Sequence, residues 1–367
     1  MLPVHSRPLA RRRATPPMLL VAFAAGASLV LGACSAPADE PAPVAPVTQA
    51  PQIEPAKVAP PAPVVPPRWP LTGVAVAEVS TRPALAIKIE NSTEARPQTG
   101  LDQADVVWEQ VVEGGISRFV AVYQSQVPAE VGPIRSVRPM DPAIAAPLHG
   151  LIAFSGGQQP FVQALKNSGL QTISMDAGAG GFYRKKGVGP APHNVYGTPQ
   201  TFWDQADGNH SAAPAGQFVV ARTADKASAV VSGGPASTVA VRLSGFSRPT
   251  WTWDAGSATW LRAEGDAPAM LRSGARIAAT NVVTLKVRLI DSGTIDPAGN
   301  PVPETVLEGS GDATVSSGGR TVTGTWTKAS TDAVLALTTA DGAVLTLAPG
   351  TTWVELVPVD SGAVTIS

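Results

Sequence analysis

One cysteine in 367 residues constrains this chain more than any other feature, because Cys34 stands at the end of an export signal. Arg7, Arg11, Arg12 and Arg13 form a basic head, the run MLLVAFAAGASLVL is apolar, and LGAC closes the segment. A basic head, an apolar core too short to cross a bilayer and small residues before the cut describe a secretory signal over residues 1–33. No other thiol remains to make a disulfide, a thiolate nucleophile or a zinc–sulfur site. The exported chain must be held together by its core, and nearly 300 residues beyond the linker are ample for two domains.

Leu31, Gly32, Ala33 and Cys34 resemble a bacterial lipobox. The resemblance implies cleavage before Cys34, a diacylglyceryl thioether on its sulfur and an acylated new amino terminus, which would anchor the protein to the outer face of the cell membrane. Residues 34–68 carry the lipid and a tether, and eleven of the 33 residues from Ser35 to Pro67 are proline. Such a segment makes neither helix nor sheet ladders, and its reach is at most about 100 Å. The whole chain carries −1, and the signal holds four arginines and no acid, which leaves −5 for the exported part. That balance argues against a nucleic-acid partner.

From Trp69 the composition turns globular. PALAIKIEN reads as a strand, and DVVWEQVV with ISRFVAVYQS reads as a hairpin turning at Gly114-Gly115. DPAIAAPLHG and PFVQALKNSG suggest short helices around a buried strand, LIAF. From about Gln217 onward nearly every segment alternates, as in STVAVRLS, TWTWD, NVVTLKVRLI and TWVELVP. The expected fold is therefore an α/β domain over residues 69–212 followed by a β-rich domain over 213–367.

The chemistry-bearing residues fall in three places. In the hairpin, a two-residue loop sets Val111 opposite Arg118 and Glu113 opposite Ile116, so Glu109, Glu113 and Arg118 share one face. That cluster is either a structural ion network or a polar floor with an acid/base carboxylate. In VGPIRSVRPMD, residues 131–141, Pro133 and Pro139 bias the backbone to an extended form that places Arg135 and Arg138 on one edge. Two guanidinium forks suit a carboxylate or phosphate, whether internal (Glu109, Glu113 or Asp141) or from a ligand. In GGFYRKKGVGPAPHNVYG, a Gly/Pro-rich loop supplies Tyr183, Arg184, His193 and Asn194. His193 suits a general base or a loop hydrogen bond. No histidine has metal-ligand spacing, and FSGG lacks the first glycine of a nucleophile elbow. Trp251 and Trp253 share one strand face, more consistent with core than with a sugar platform.

The segments PLTG, IEN, ARPQTGLDQADVVWE, EGGISRF, VGPIRSVRP, FYR and APHNVY, and later TNVV, EGSG, GTWTK and APGTTWVELVP, resemble the YerB family of bacterial lipoproteins. The resemblance implies a first domain of layered β-β-α sandwich type and an outer-leaflet anchor, without an established reaction. It also singles out Arg96 beside the residues above. The candidate ligand-binding set is Arg96, Arg118, Arg135, Arg138, Asp141, Tyr183, Arg184, His193 and Asn194. Glu109, Glu113 and His193 are the catalytic candidates, and no cofactor or metal is expected. The leading expectation is a lipid-anchored extracytoplasmic envelope protein that binds an anionic cell-wall component or an envelope protein partner. The rival is a wall-glycan hydrolase or transferase using a Glu109 or Glu113 carboxylate.

Overall fold

The structure, a computed structural model, describes residues 65–367. The export signal, Cys34 and most of the tether lie outside the described residues. Strands dominate, and of the four α-helices among the described residues three are only five residues long.

The first strands arise where the sequence alternates most strongly: β1 (Leu85–Glu90), β2 (Val106–Val111) and β3 (Ser117–Tyr123) are buried throughout. β3 lies antiparallel between β1 and β2, and β1 continues in parallel register to β4 (Leu151–Phe154) and β5 (Gln171–Ser174). The expected short helices flank β4. α1 (Asp141–Ala145) begins with Pro142 in its first turn, and the Asp141 carboxylate accepts the Arg138 backbone N–H at 2.7 Å. α2 (Gln159–Asn167) buries Phe161 and Leu165, one helical turn apart, and stops before Gly169, whose φ of +78° suits glycine alone.

The strand Thr352–Pro358, near the end of the chain, pairs in parallel with β2 and joins it to Asn281–Ile295. One twelve-stranded sheet therefore runs through both halves of the sequence. One of its faces carries Ala86, Val120, Val122, Ile152 and Phe154 against α1 and α2. The opposite face packs Phe119 and Trp353 on a six-stranded sheet that contains Trp251 and Trp260. The second β layer thus comes from residues 238–366, not from 69–212. Trp251 is fully buried and meets Trp353 edge-on with ring centroids 5.1 Å apart, so this aromatic face is core.

The β2–β3 turn differs from the expected two-residue loop. Glu113, Gly114 and Gly115 all lie in the loop, with both glycines at positive φ, and Val112 N donates to Ile116 O at 2.8 Å. The extra residue moves the register by one: Val111 faces Ser117, Gln110 faces Arg118 and Glu109 faces Phe119. A one-residue slip exchanges faces. Arg118 consequently belongs to the helix-covered face and Glu109 to the face between the sheets, so the expected Glu109–Glu113–Arg118 grouping does not form.

Candidate functional site

Two buried ion clusters stand on opposite faces of the same strands. On the helix side, Lys88 and Glu90 alternate inward from β1, and Gln110 and Arg118 from β2 and β3. Residues 131–137 run across the carboxyl ends of β1 and β4. Glu90 N donates to Pro133 O and Arg135 N to Lys88 O, both at 2.9 Å, and Val137 N donates to Gly156 O at 2.9 Å. The expected proline-framed loop is therefore held as a wedge where two parallel strands diverge, a place where open sheets present ligand crevices.

The wedge and the residue that follows it deliver both arginines to acids. Arg138 Nε lies 2.6 Å from Glu113 Oε1, and Arg135 Nε lies 3.2 Å from Glu90 Oε1. Glu90 also meets His193 Nδ1 at 2.9 Å and accepts from Ser92 Oγ at 3.2 Å. Asp141 is saturated by Lys88 Nζ at 2.7 Å, Gln110 Nε2 at 2.6 Å and the Arg138 N–H. Burial pulls the Lys88 pKa down to about 8 despite Asp141, which still leaves an ammonium at neutral pH.

Arg118 is different. It is 5 % exposed, its guanidinium donates only to the Ser136 carbonyl at 3.2 Å, and no carboxylate lies at ion-pair distance among the described residues; its Nε, like those of Arg135 and Arg138, makes no aligned hydrogen bond. Burial, then the neighbouring Arg138 and Arg135, push its pKa down to about 9, so it remains a cation at neutral pH. Lys88 meets Asp141, Arg135 meets Glu90 and Arg138 meets Glu113, with Asp296 also within electrostatic reach of Arg138. Arg118 feels Glu113 and Glu90 only at longer range. Buried charges are normally paired. Arg118 lacks such a direct pair.

Between the sheets, Arg262 is fully buried and its Nη2 reaches Glu109 Oε2 and Glu264 Oε1, each at 2.8 Å, while Nη1 reaches Glu355 Oε1 at 3.0 Å. Trp353, Trp251 and Phe119 surround the guanidinium with centroids at 4.9, 5.3 and 5.5 Å. Burial and the adjacent Glu109 raise the Glu355 pKa well above its ordinary value, against the opposing pull of Arg262. Glu109 has no exposed side-chain surface and Glu113 stands on the other side of the sheet, so the two carboxylates do not flank a common cleft. The rival acid/base arrangement finds no support in this geometry.

The remaining candidates are placed apart. Arg96 donates to Asn91 and lies 3.3 Å from Glu264. Tyr183 and Lys185 both bind Glu130, and Arg184 donates to Asn194 Oδ1 at 2.8 Å, across β6 (Phe182–Arg184) and β7 (Val195–Gly197). Among the described residues, no group of three His, Cys, Asp or Glu side chains is arranged to hold a metal ion. Lys88, Glu90, Arg262, Glu264 and Glu355 were not among the candidates. Their signal was present: each is an ionisable residue inside an otherwise apolar strand, which requires a buried partner.

Residues 71–212 match the family described as the N-terminal domain of a protein of unknown function (DUF3048), and residues 239–354 match its C-terminal domain. Over 128 residues the chain is 32 % identical to YerB of Bacillus subtilis (strain 168), a protein named as a lipoprotein. That match covers 35 % of this chain and 39 % of the relative, well under two thirds of its length. A crystal structure of the YerB protein from Bacillus subtilis is similar with a TM-score of 0.69 at 23 % identity, over 81 % of this chain and 99 % of that one, a likeness of fold. The chain belongs to the DUF3048 family of YerB-like proteins.

Proposed function

We propose that this is a lipid-anchored extracytoplasmic envelope protein that binds an anionic group of a cell-wall component at Arg118, Arg135 and Arg138. The anchor is Cys34, and the proline-rich tether gives the folded part reach into the wall. The observation that carries the binding reading is Arg118, a buried guanidinium with no carboxylate at ion-pair distance among the described residues, near two arginines that already meet Glu113 and Glu90. A bound anion supplies a direct counter-charge. The wedge of residues 131–137, fixed at both ends by backbone hydrogen bonds, presents the forks without further ordering cost. Arg135 is the most exposed of the ion-paired arginines in this cluster, with 19 % of its side chain accessible.

One guanidinium without a direct ion pair favours a single negative charge per site, as in the phosphodiester of a polyol phosphate chain. The test is co-sedimentation of the detergent-solubilised full chain with wall fragments before and after removal of their phosphate-bearing polymer. Retention on intact fragments and loss on stripped ones supports the reading. Equal retention on both overturns it.

A further inference from the structure

A second pocket, remote from Arg118 in its chemistry, opens where the Arg96–Gln98 loop meets the six-stranded sheet. It encloses about 310 Å³ and is lined by Arg96, Pro97 and Glu264 with Pro268, Met270 and Ile277 among its apolar walls. That volume is at the lower end of the roughly 300–1,000 Å³ typical of ligand pockets, and suits a small ligand. The loop is fastened to the sheet, since Arg272 N donates to Gln98 O at 2.8 Å.

Arg96 is held from behind. Its Nε donates to Asn91 Oδ1 and its Nη2 to Asn91 O, both at 2.9 Å, and Gln98 Nε2 donates to the same Oδ1 at 2.9 Å. Nη1 has no protein partner among the described residues, and 32 % of the side chain is accessible. The guanidinium is thus aimed and only partly used. Glu264 spends Oε1 on Arg262 at 2.8 Å and keeps Oε2 for one long contact, 3.3 Å from Arg96. Burial acts to raise its pKa, but Arg262 and Arg96 outweigh it and lower the value, so Glu264 stays ionised.

A fixed guanidinium beside an ionised carboxylate with spare acceptor capacity, over an apolar wall, matches the end of a peptide. The terminal carboxylate takes Arg96 Nη1, the preceding amide N–H takes Glu264 Oε2, and a small apolar side chain lies on Pro268 and Met270. We infer that this pocket binds the carboxyl terminus of a short peptide with small apolar side chains. The inference stands apart from the anion site and does not depend on it.

Calorimetric titration of the detergent-solubilised full chain with alanyl-alanine and with its carboxyl-terminal amide tests this. The free acid should bind at least about tenfold more tightly than the amide, and Arg96→Gln should remove that preference. Met270→Trp, at a residue 42 % exposed, should fill the pocket and abolish binding without lowering the melting temperature. Arg118→Met should bind the peptide as the wild type does, which separates this site from the proposed anion site. Equal binding of acid and amide, no binding of either, or undiminished binding to Met270→Trp overturns the inference.

Discussion

Glu109 and Glu355 stand opposite each other on neighbouring parallel strands, both without solvent exposure, and both reach the guanidinium of Arg262. The three residues come from three distant parts of the chain, so the cluster fastens the six-stranded sheet to the larger one. Replacing Arg262 by Ala leaves two buried acids without their cation, and should cost about 3–5 kcal/mol in denaturant unfolding. Glu355→Gln keeps volume and a hydrogen-bond donor toward Glu109, so it should change stability by less than about 1.5 kcal/mol.

The same pair sets a pH dependence. The folded-state pKa of Glu355 is raised from an ordinary value of 4.5 by burial and by Glu109. Between 4.5 and the raised value the folded state holds a proton that the unfolded state has lost. The stabilisation is therefore complete below 4.5 and declines as pH rises through the folded pKa. Melting curves from acid to alkaline pH should show this decline in the wild type and a flatter profile in Glu355→Gln.

Arg138 and Arg135 should not be equivalent. Arg138 is 8 % exposed and is the sole ion-pair partner of Glu113 among the described residues, whereas Glu90 keeps His193 and Ser92 when Arg135 is lost. Arg138→Ala should therefore cost about 3 kcal/mol, and Arg135→Ala about 1 kcal/mol. Paired unfolding curves give the order directly.

The lipid anchor has its own test. Cys34→Ala should abolish incorporation of labelled fatty acid and either leave the signal uncleaved or release the protein from the membrane. Two or three acyl chains hold a protein that one cannot, since each buried methylene contributes about 0.8 kcal/mol. Incorporation of lipid into the Cys34→Ala protein would refute the assignment.

Much of the fold was legible because alternation and turn residues act locally. β1, β2, β3 and the helices beside β4 lie where PALAIKIEN, DVVWEQVV and PFVQALKNSG place them. The register at Gly114-Gly115 was not, because two- and three-residue glycine loops share a local signature and only the whole sheet chooses between them. That single residue decided which face Glu109 and Arg118 occupy. Arg135 and Arg138 were recognisable from the prolines around them, and Glu113 was a named partner. Glu90 and Arg262 were hidden because a charged residue in a strand announces a partner without naming it. The joining of Thr352–Pro358 to β2 is a pairing over more than 240 residues, beyond the range of any local pattern.

The central claim is that Arg118 awaits an anion, and calorimetric titration with a soluble polyol phosphate polymer tests it most directly. The wild-type full chain should bind the polymer, more weakly as salt is raised, because screening reduces the attraction at the partly exposed Arg135. Arg118→Met removes an unpaired buried cation and fills its space with apolar atoms, so it should melt no lower than the wild type. Its affinity for the polymer should nonetheless fall by at least about tenfold. An Arg118→Met protein that binds the polymer as tightly as the wild type would contradict the account.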